Sequence, residues 1–368
     1  MCKQKKQTFL SETLQLILAN ISQIINFDFL KDYVGQTHGQ HLLAYVAGLI
    51  LCGTNATMTG IARTLKLCRH DSLERMLSEM NLPARLLSGL FIGWIRNYRR
   101  TPGYLMLDDT VLDKRYSKGI DCAGFAWSTC DKRSILGIHI VVMYWSDGKV
   151  KIPMGWRLWI PRKKTLRYRT KVDLAFELLA DNDEFCKSCQ YLTFDSWYCT
   201  DRLLRLSSLI GLACTSRLKK NRTIIFKGQE MAVRGLRGGM HQVELPDYGR
   251  VSVYCDNSEP QVKYLVCTDT TIPGMEVKKH YERRWRIEES FRYAKQELGL
   301  GCCQCRRNTA VRNHISLVLL SHFVMEVLSI RMKVGVYEVS RKFVFGFLGI
   351  TDDFPDLRQR RAFIKHAA

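Results

Sequence analysis

The sequence contains no apolar run approaching the roughly 18 residues that a membrane-spanning helix needs. Its stretch Ile315 to Ile330 is interrupted by His322 and Glu326. The apolar core of a signal peptide is also missing, because Lys3, Lys5 and Lys6 are followed by the polar residues Thr8, Ser11, Glu12, Thr13 and Gln15. These absences speak against a membrane partner and lead to the expectation of a cytoplasmic chain. No internal repeat and no low-complexity segment is found, which excludes solenoids and arrays. Acidic residues are the scarce class: 35 Asp and Glu stand against 56 Lys and Arg, a formal charge of +21 spread along most of the chain. A polyanionic partner follows, and nucleic acid is the one favoured. What remains is 46% hydrophobic and 25% charged over 368 residues, the composition of a globular protein of two or three domains.

Fourteen cysteines in an intracellular chain are expected to be reduced. Cys186 and Cys189, with Cys302, Cys303 and Cys305, could supply four thiolates to zinc. Each group abuts an expected strand, and free cysteine is commonly buried, so buried thiols are the preferred reading.

Residues 1–100 are helical in pattern. Thr57 to Leu67 and Asp71 to Met80 form a compact pair around Cys68-Arg69-His70; Asp71 with Glu74 has the spacing of a capping box, and Leu73, Met76, Leu77 and Met80 repeat at helical spacing. The pair is either a helix-turn-helix that would contact DNA through Arg63, Lys66, Arg69 and Arg75, or a helical hairpin packed on the core. After Thr101-Pro102-Gly103 the periodicity becomes extended. Tyr104 to Leu107 reads as a buried strand ending in Asp108-Asp109-Thr110, and Ile135 to Trp145 and Val150 to Ile160 as a hairpin about Ser146-Asp147-Gly148-Lys149. Thr165 to Ala180 reads as a helix with Val172, Ala175, Phe176 and Leu179 facing inward. Tyr191 to Phe194 is a strand ending in Asp195, Thr200 to Ile210 a helix, and Leu212 to Leu218 a strand.

That order predicts an α/β fold: a ribonuclease-H-like mixed sheet with helices packed on it. The expected domains are a helical N-terminal domain (1–100), the catalytic domain in two parts (101–218 and 274–330), a β-rich insertion subdomain (219–273) and a C-terminal tail (331–368) in which dimerisation and the basic residues Arg358, Arg360 and Arg361 are placed. The insertion opens with a basic stretch that includes Lys219, Lys220 and Arg222, suited to a phosphate backbone or to a solvated face.

Asp108 and Asp195 lie at the carboxyl ends of strands, where such sheets place functional groups. The stretch Tyr281 to Lys295 reads as one helix. At about 100° per residue, Tyr281, Arg284, Glu288 and Lys295 share a sector of roughly 60°, beside an apolar stripe of Ile287, Phe291, Ala294 and Leu298. Three carboxylates of this kind suit two divalent ions in phosphoryl transfer, since magnesium takes hard oxygen ligands and leaves positions for phosphate and water.

The spacing Tyr281-x2-Arg284-x3-Glu288-x6-Lys295 resembles the Y-R-E-K signature of bacterial DDE transposases of the insertion-sequence-four family. Leu107-Asp108-Asp109-Thr110 and Phe194-Asp195-Ser196-Trp197-Tyr198 are similar to that family's first- and second-aspartate segments. The resemblance spans roughly residues 40–330. It implies that Asp108, Asp195 and Glu288 hold two Mg²⁺ or Mn²⁺ ions, with Asp108 chosen over Asp109 by its distance from Thr110. It implies phosphate contacts from Tyr281, Arg284 and Lys295, and double-stranded DNA, terminal inverted repeats and target alike, as substrate; Arg292, in the same stretch, is a further candidate DNA contact. Trp285 is either a stacking platform for an unpaired base or a core tryptophan. Cut-and-paste transposition through a hairpin, by a synaptic homodimer at a prokaryotic nucleoid, is the expected activity. The alternatives are a catalytically silent DNA-binding relative and a ribonuclease-H-like nuclease or resolvase.

Overall fold

The computed structural model describes residues 14–117, 119–128 and 132–348; Lys3, Lys5, Lys6, Arg358, Arg360 and Arg361 lie outside the described residues. Helices come first: α1 (Leu14–Ile24), α2 (Phe27–Val34), α3 (Gln36–Cys52), α4 (Met58–Leu65), α5 (His70–Glu79) and α6 (Ala84–Tyr98). Strands β1 (Tyr104–Asp113), β2 (Gly124–Ser128), β3 (Arg133–Ser146) and β4 (Lys151–Trp159) follow. Then come α7 (Lys171–Ala180), α8 (Asp183–Cys186), β5 (Tyr191–Phe194), α9 (Asp201–Leu209) and β6 (Ala213–Leu218). Strands β7 (Thr223–Phe226), β8 (Gln229–Ala232), β9 (Gly239–Leu245), β10 (Gly249–Asp256) and β11 (Lys263–Cys267) precede the last helices: α10 (Gly274–Glu282), α11 (Trp285–Glu297), α12 (Asn308–Met332) and α13 (Val336–Leu348). The described residues divide into two compact units, one drawn from 14–91, 112–137 and 291–348, the other from Ile92–Val111 and Ile138–Ser290.

The second unit is built on the sheet. Strands run in the order β3-β1-β5-β6-β11-β10-β9-β7-β8, with β4 paired to β3. Within it, β4-β3-β1-β5-β6 is the ribonuclease-H-like order; β5 is parallel to both β1 and β6, and β11 returns antiparallel to β6. The first four residues of β1 and all of β5 are buried. Strands covered on both faces read as continuous apolar runs, which is why Tyr104 to Leu107 and Tyr191 to Phe194 show no alternation. At the entry to β1, Gly103 has φ +66°, and a Cβ there would stand 2.4 Å from Trp145 Nε1. That indole donates to Pro102 O at 2.9 Å, so the turn admits only glycine. At the β3–β4 turn, Asp147 Oδ1 accepts from the backbone of Lys149 (2.8 Å) and Val150 (3.0 Å).

Local chemistry moved several boundaries. Helix α7 begins at Lys171 rather than Thr165, because Thr170 and Asp173 form a reciprocal capping box. Its buried residues are therefore Leu174, Ala175, Leu178 and Leu179, and Val172 and Phe176 are only half-buried. The capping box expected at Asp71 does not form: the helix starts one residue earlier, at His70, and the Asp71 carboxylate lies 2.8 Å from His70 Nε2. Strand β2, unanticipated, pairs with residues 133–137 of β3.

In the first unit, Thr57 caps α4 by accepting from Gly60 N, and Lys66 ends it in the left-handed region at φ +56°. Helices α4 and α5 pack on each other and on α3, and α5 also packs on α12. Leu73, Met76, Leu77 and Met80 are all buried. Asn313 of α12 donates to Leu77 O (2.8 Å) and Met80 O (2.6 Å), closing carbonyls left open at the end of α5. Helix α12 corrects the expectation that no apolar run is long enough to span a membrane. By length and composition it qualifies, but 78% of its most apolar window is buried inside the protein, as in a core helix.

His314 of α12 is fully buried. Its Nδ1 pairs with the Tyr45 hydroxyl at 2.8 Å and its Nε2 lies 3.3 Å from Leu300 O. The neutral tautomer with hydrogen on Nε2 satisfies both contacts, the Tyr45 hydroxyl donating to Nδ1 and Nε2 donating to Leu300 O. Burial lowers its pKa to about 4, opposed by the Leu300 carbonyl and reinforced by Lys114. Between about 4 and the unfolded value of roughly 6.5, the unfolded chain binds more protons than the folded one, so stability rises with pH across that window. Wild-type melting temperature is expected to drop on acidification from pH 6.5 to 4 more steeply than that of His314→Asn; parallel curves would remove His314 as the cause.

Candidate active site

Strands β1 and β5 are paired in parallel through Leu105↔Leu192, Met106↔Thr193 and Leu107↔Phe194. The next residue on each is an aspartate, so Asp108 and Asp195 stand at the same level on strands about 4.8 Å apart. Strand β1 does not end at Asp108, as the sequence suggested, but continues to Asp113. Asp108 is thus held by extended backbone where its neighbour β5 gives out. Burial pushes the Asp108 carboxyl up to about 7; Arg284 opposes the rise, and Asp109 and Asp195 add to it. A carboxylate in that position needs a cation nearby to stay charged.

The stretch Tyr281 to Lys295 is two helices, not one. Helix α10 stops at Glu282 and α11 starts at Trp285. Between them, Arg284 N bonds Tyr281 O (3.0 Å), Arg286 N bonds Arg283 O (3.2 Å) and Ile287 N bonds Arg284 O (3.0 Å), a tighter three-residue spacing. Both arginines at the turn reach partners of β1 and β5. Arg283 donates to the Tyr191 hydroxyl at 2.9 Å and covers the Tyr104 ring at 5.6 Å. Tyr191 in turn stacks on Tyr104 and on His280. Arg284 Nη1 meets Asp108 Oδ2 at 2.8 Å, and its Nη2 meets Glu288 Oε1 at 2.7 Å. One guanidinium therefore joins two of the three expected carboxylates.

The choice between Asp108 and Asp109 has a structural counterpart. Asp109 accepts from Lys171 Nζ at 2.5 Å and from the Tyr198 hydroxyl at 2.8 Å, so both of its oxygens are held by other protein groups. Nothing in the spacing of the sequence pointed to Lys171, which sits at the start of α7. Asp108 is the one that faces Glu288 through Arg284.

The remaining expected residues are distributed as follows. Tyr281 packs against the buried cluster of Leu265, Cys267 and Val277, and its ring lies 5.6 Å from the Arg284 guanidinium carbon. Trp285 is 51% exposed, which rules out a core role. Arg292 and Lys295 are exposed residues of α11, whose Ile287, Phe291 and Ala294 are buried, as is Leu298 just beyond its end, as the stripe required. Beside the Asp195 turn is a hollow of about 450 Å³ lined by Ser196, Trp197, Thr200, Lys219 and Arg222 among others. Lys219 Nζ lies 5.2 Å over the exposed Trp197 ring, Arg222 Nη2 donates to both carboxylate oxygens of Asp201, and Lys220 is exposed. In the sequence Trp197 stood out only as part of the second-aspartate segment; its exposure was not legible, because an aromatic after a turn looks the same whether buried or open. The described cysteines are free thiols, and Cys186 and Cys189 are buried.

The donor chemistry fits a hard divalent ion: Asp108, Asp195 and Glu288 offer only carboxylate oxygens, and Asp108 and Asp195 lie close enough to raise one carboxyl's pKa. Among the described residues, however, no three His, Cys, Asp or Glu side chains converge to hold a metal ion. Arg284 stands in the gap between Asp108 and Glu288. Local order around Asp109 is open to a stability test. Tyr198→Phe, which removes one donor from a half-buried carboxylate, is expected to lower the unfolding free energy by about 1.5–3 kcal/mol in urea titration; an unchanged midpoint would show that Lys171 alone suffices.

Residues 29–249, more than half of the chain, match the family described as DDE superfamily endonuclease. The match takes in Asp108 and Asp195 and stops short of Glu288. No curated protein matches the chain. Members of the superfamily act on DNA and typically use divalent metals, which agrees with the basic charge and the all-oxygen donor set. The chain belongs to the DDE superfamily endonuclease family.

Proposed function

We propose that this endonuclease is a transposase of the insertion-sequence-four type, which excises and inserts its element by cut-and-paste chemistry. The observation that carries the proposal is the level pairing of Asp108 and Asp195 on adjacent parallel strands, with Glu288 tied to Asp108 through Arg284. Asp108, Asp195 and Glu288 would hold two Mg²⁺ or Mn²⁺ ions, which would supply the charge to activate an attacking oxygen and to stabilise a leaving one.

The chain's own residues do the rest. Tyr281, Arg284, Arg292 and Lys295 hold backbone phosphates near the scissile bond and fix its register without reading sequence. Trp285, exposed beside Arg284, offers a face to an unpaired base. Lys219, Lys220 and Arg222 follow the strand past the hollow at Trp197. Cleavage at the element's end frees a 3′ hydroxyl that attacks the opposite strand to close a hairpin, and the reopened end joins target DNA. Residues 1–100 serve as the DNA-binding domain, and two copies pair the inverted repeats.

A second reading, a silent DNA-binding relative, draws support from Arg284, which already pairs with two of the carboxylates. Oligonucleotides from the inverted repeats that flank the reading frame separate the two. With Mg²⁺, the wild type is expected to cut the repeat end and form joined products, while Glu288→Gln and Asp108→Asn lose at least about 100-fold in cleavage. Equal cutting by wild type and Glu288→Gln would sink the triad assignment. Cutting without any joined product would favour a nuclease or resolvase.

A further inference from the structure

We propose that Arg284 is a built-in counter-ion which holds the place between Asp108 and Glu288 in the metal-free protein and which a divalent ion must displace. This rests on the assignment of Asp108 and Glu288 as metal ligands, and goes beyond it by giving the neighbouring arginine an opposing role.

The geometry is that of a substitute cation. A guanidinium usually grips one carboxylate with two parallel hydrogen bonds. Arg284 instead splits its fork: Nη1 goes to Asp108 at 2.8 Å and Nη2 to Glu288 at 2.7 Å, so a single positive group bridges two acids from different elements. Its side chain is only 13% exposed. Arginine stays protonated at any working pH, so a change of pH does not vacate the position; competition by another cation does.

Two further features make the arrangement displaceable. Arg284 Nε is buried and has no hydrogen-bond partner among the described residues, so the guanidinium is incompletely satisfied where it stands. The residue also sits in the tight turn between α10 and α11 rather than inside either helix, where a side chain can swing without unwinding a helix. On leaving the acids it remains beside the Tyr281 ring and next to exposed Trp285, with both Nη atoms available to phosphate oxygens. Ion entry and phosphate capture are then linked, each favouring the other by the same factor. The consequence is a site that is poorly loaded with metal until a DNA phosphate takes the arginine.

Binding of Mn²⁺ alone, followed by electron paramagnetic resonance without DNA, tests the idea on wild type, Arg284→Gln, Arg284→Lys, Asp108→Asn and Glu288→Gln. Arg284→Gln is expected to bind Mn²⁺ on the order of tenfold more tightly than wild type, and Asp108→Asn and Glu288→Gln more weakly. Arg284→Lys keeps the charge but gives up the planar fork that spans the two acids, so it too should bind more tightly, though less so than Arg284→Gln, and it serves if Arg284→Gln does not fold, as judged by circular dichroism. If the arginine variants bind no better than wild type while Glu288→Gln loses the ion, the counter-ion role is overturned and the ligand assignment stands. If Asp108→Asn and Glu288→Gln bind as wild type does, the ligand assignment itself falls, and the proposal with it.

Discussion

Like charges brought together out of water need a cation, and this requirement governs the centre of the molecule. Parallel pairing of β1 with β5 sets Asp108 beside Asp195 as a matter of register, and Asp109 follows at once on the same strand. Burial pushes the Asp108 carboxyl up toward its neutral form. The protein answers each acid differently. Asp109 receives Lys171 and Tyr198, and Asp108 receives Arg284, which it shares with Glu288. The first pairing is local and closed. The second draws in a residue from beyond β11, and so ties the α10–α11 turn to the head of the sheet.

That tie explains the break between α10 and α11. A continuous helix from Tyr281 would leave Arg283 and Arg284 on its surface; the turn lets Arg283 reach Tyr191 and Arg284 reach Asp108. Tyr104, Tyr191 and His280 stack beneath Arg283 and stiffen the same junction. The expected signature residues therefore act on each other before any DNA arrives: Tyr281 lies against Arg284, and Arg284 against Glu288.

The fold was legible where burial writes a simple pattern. Tyr104 to Leu107 and Tyr191 to Phe194 are covered on both faces, and their apolar runs ending in aspartate marked both strands and both acids. The β3–β4 hairpin was legible because its turn residues satisfy their own backbone. Helix starts were less legible. Thr170 with Asp173 and Asp71 with Glu74 look alike in sequence, yet only the first pair closes a box. What sequence could not convey was partnership over distance. Helical spacing placed Arg284 and Glu288 on one face but said nothing of Asp108, 176 residues away, and a polar face meant for phosphate looks the same as one that neutralises acids. Helix α12 shows the same limit: His322 and Glu326 looked like interruptions of an apolar run, and are buried within it.

The central claim is that Asp108, Asp195 and Glu288 together form a divalent-ion site. Anomalous diffraction from crystals of the protein bound to DNA and soaked in Mn²⁺ tests it most directly. The account predicts manganese peaks within coordination distance of these three carboxylates, about 2.0–2.3 Å, with Arg284 turned away toward phosphate. Manganese bound elsewhere, with Arg284 still bridging Asp108 and Glu288, would contradict it.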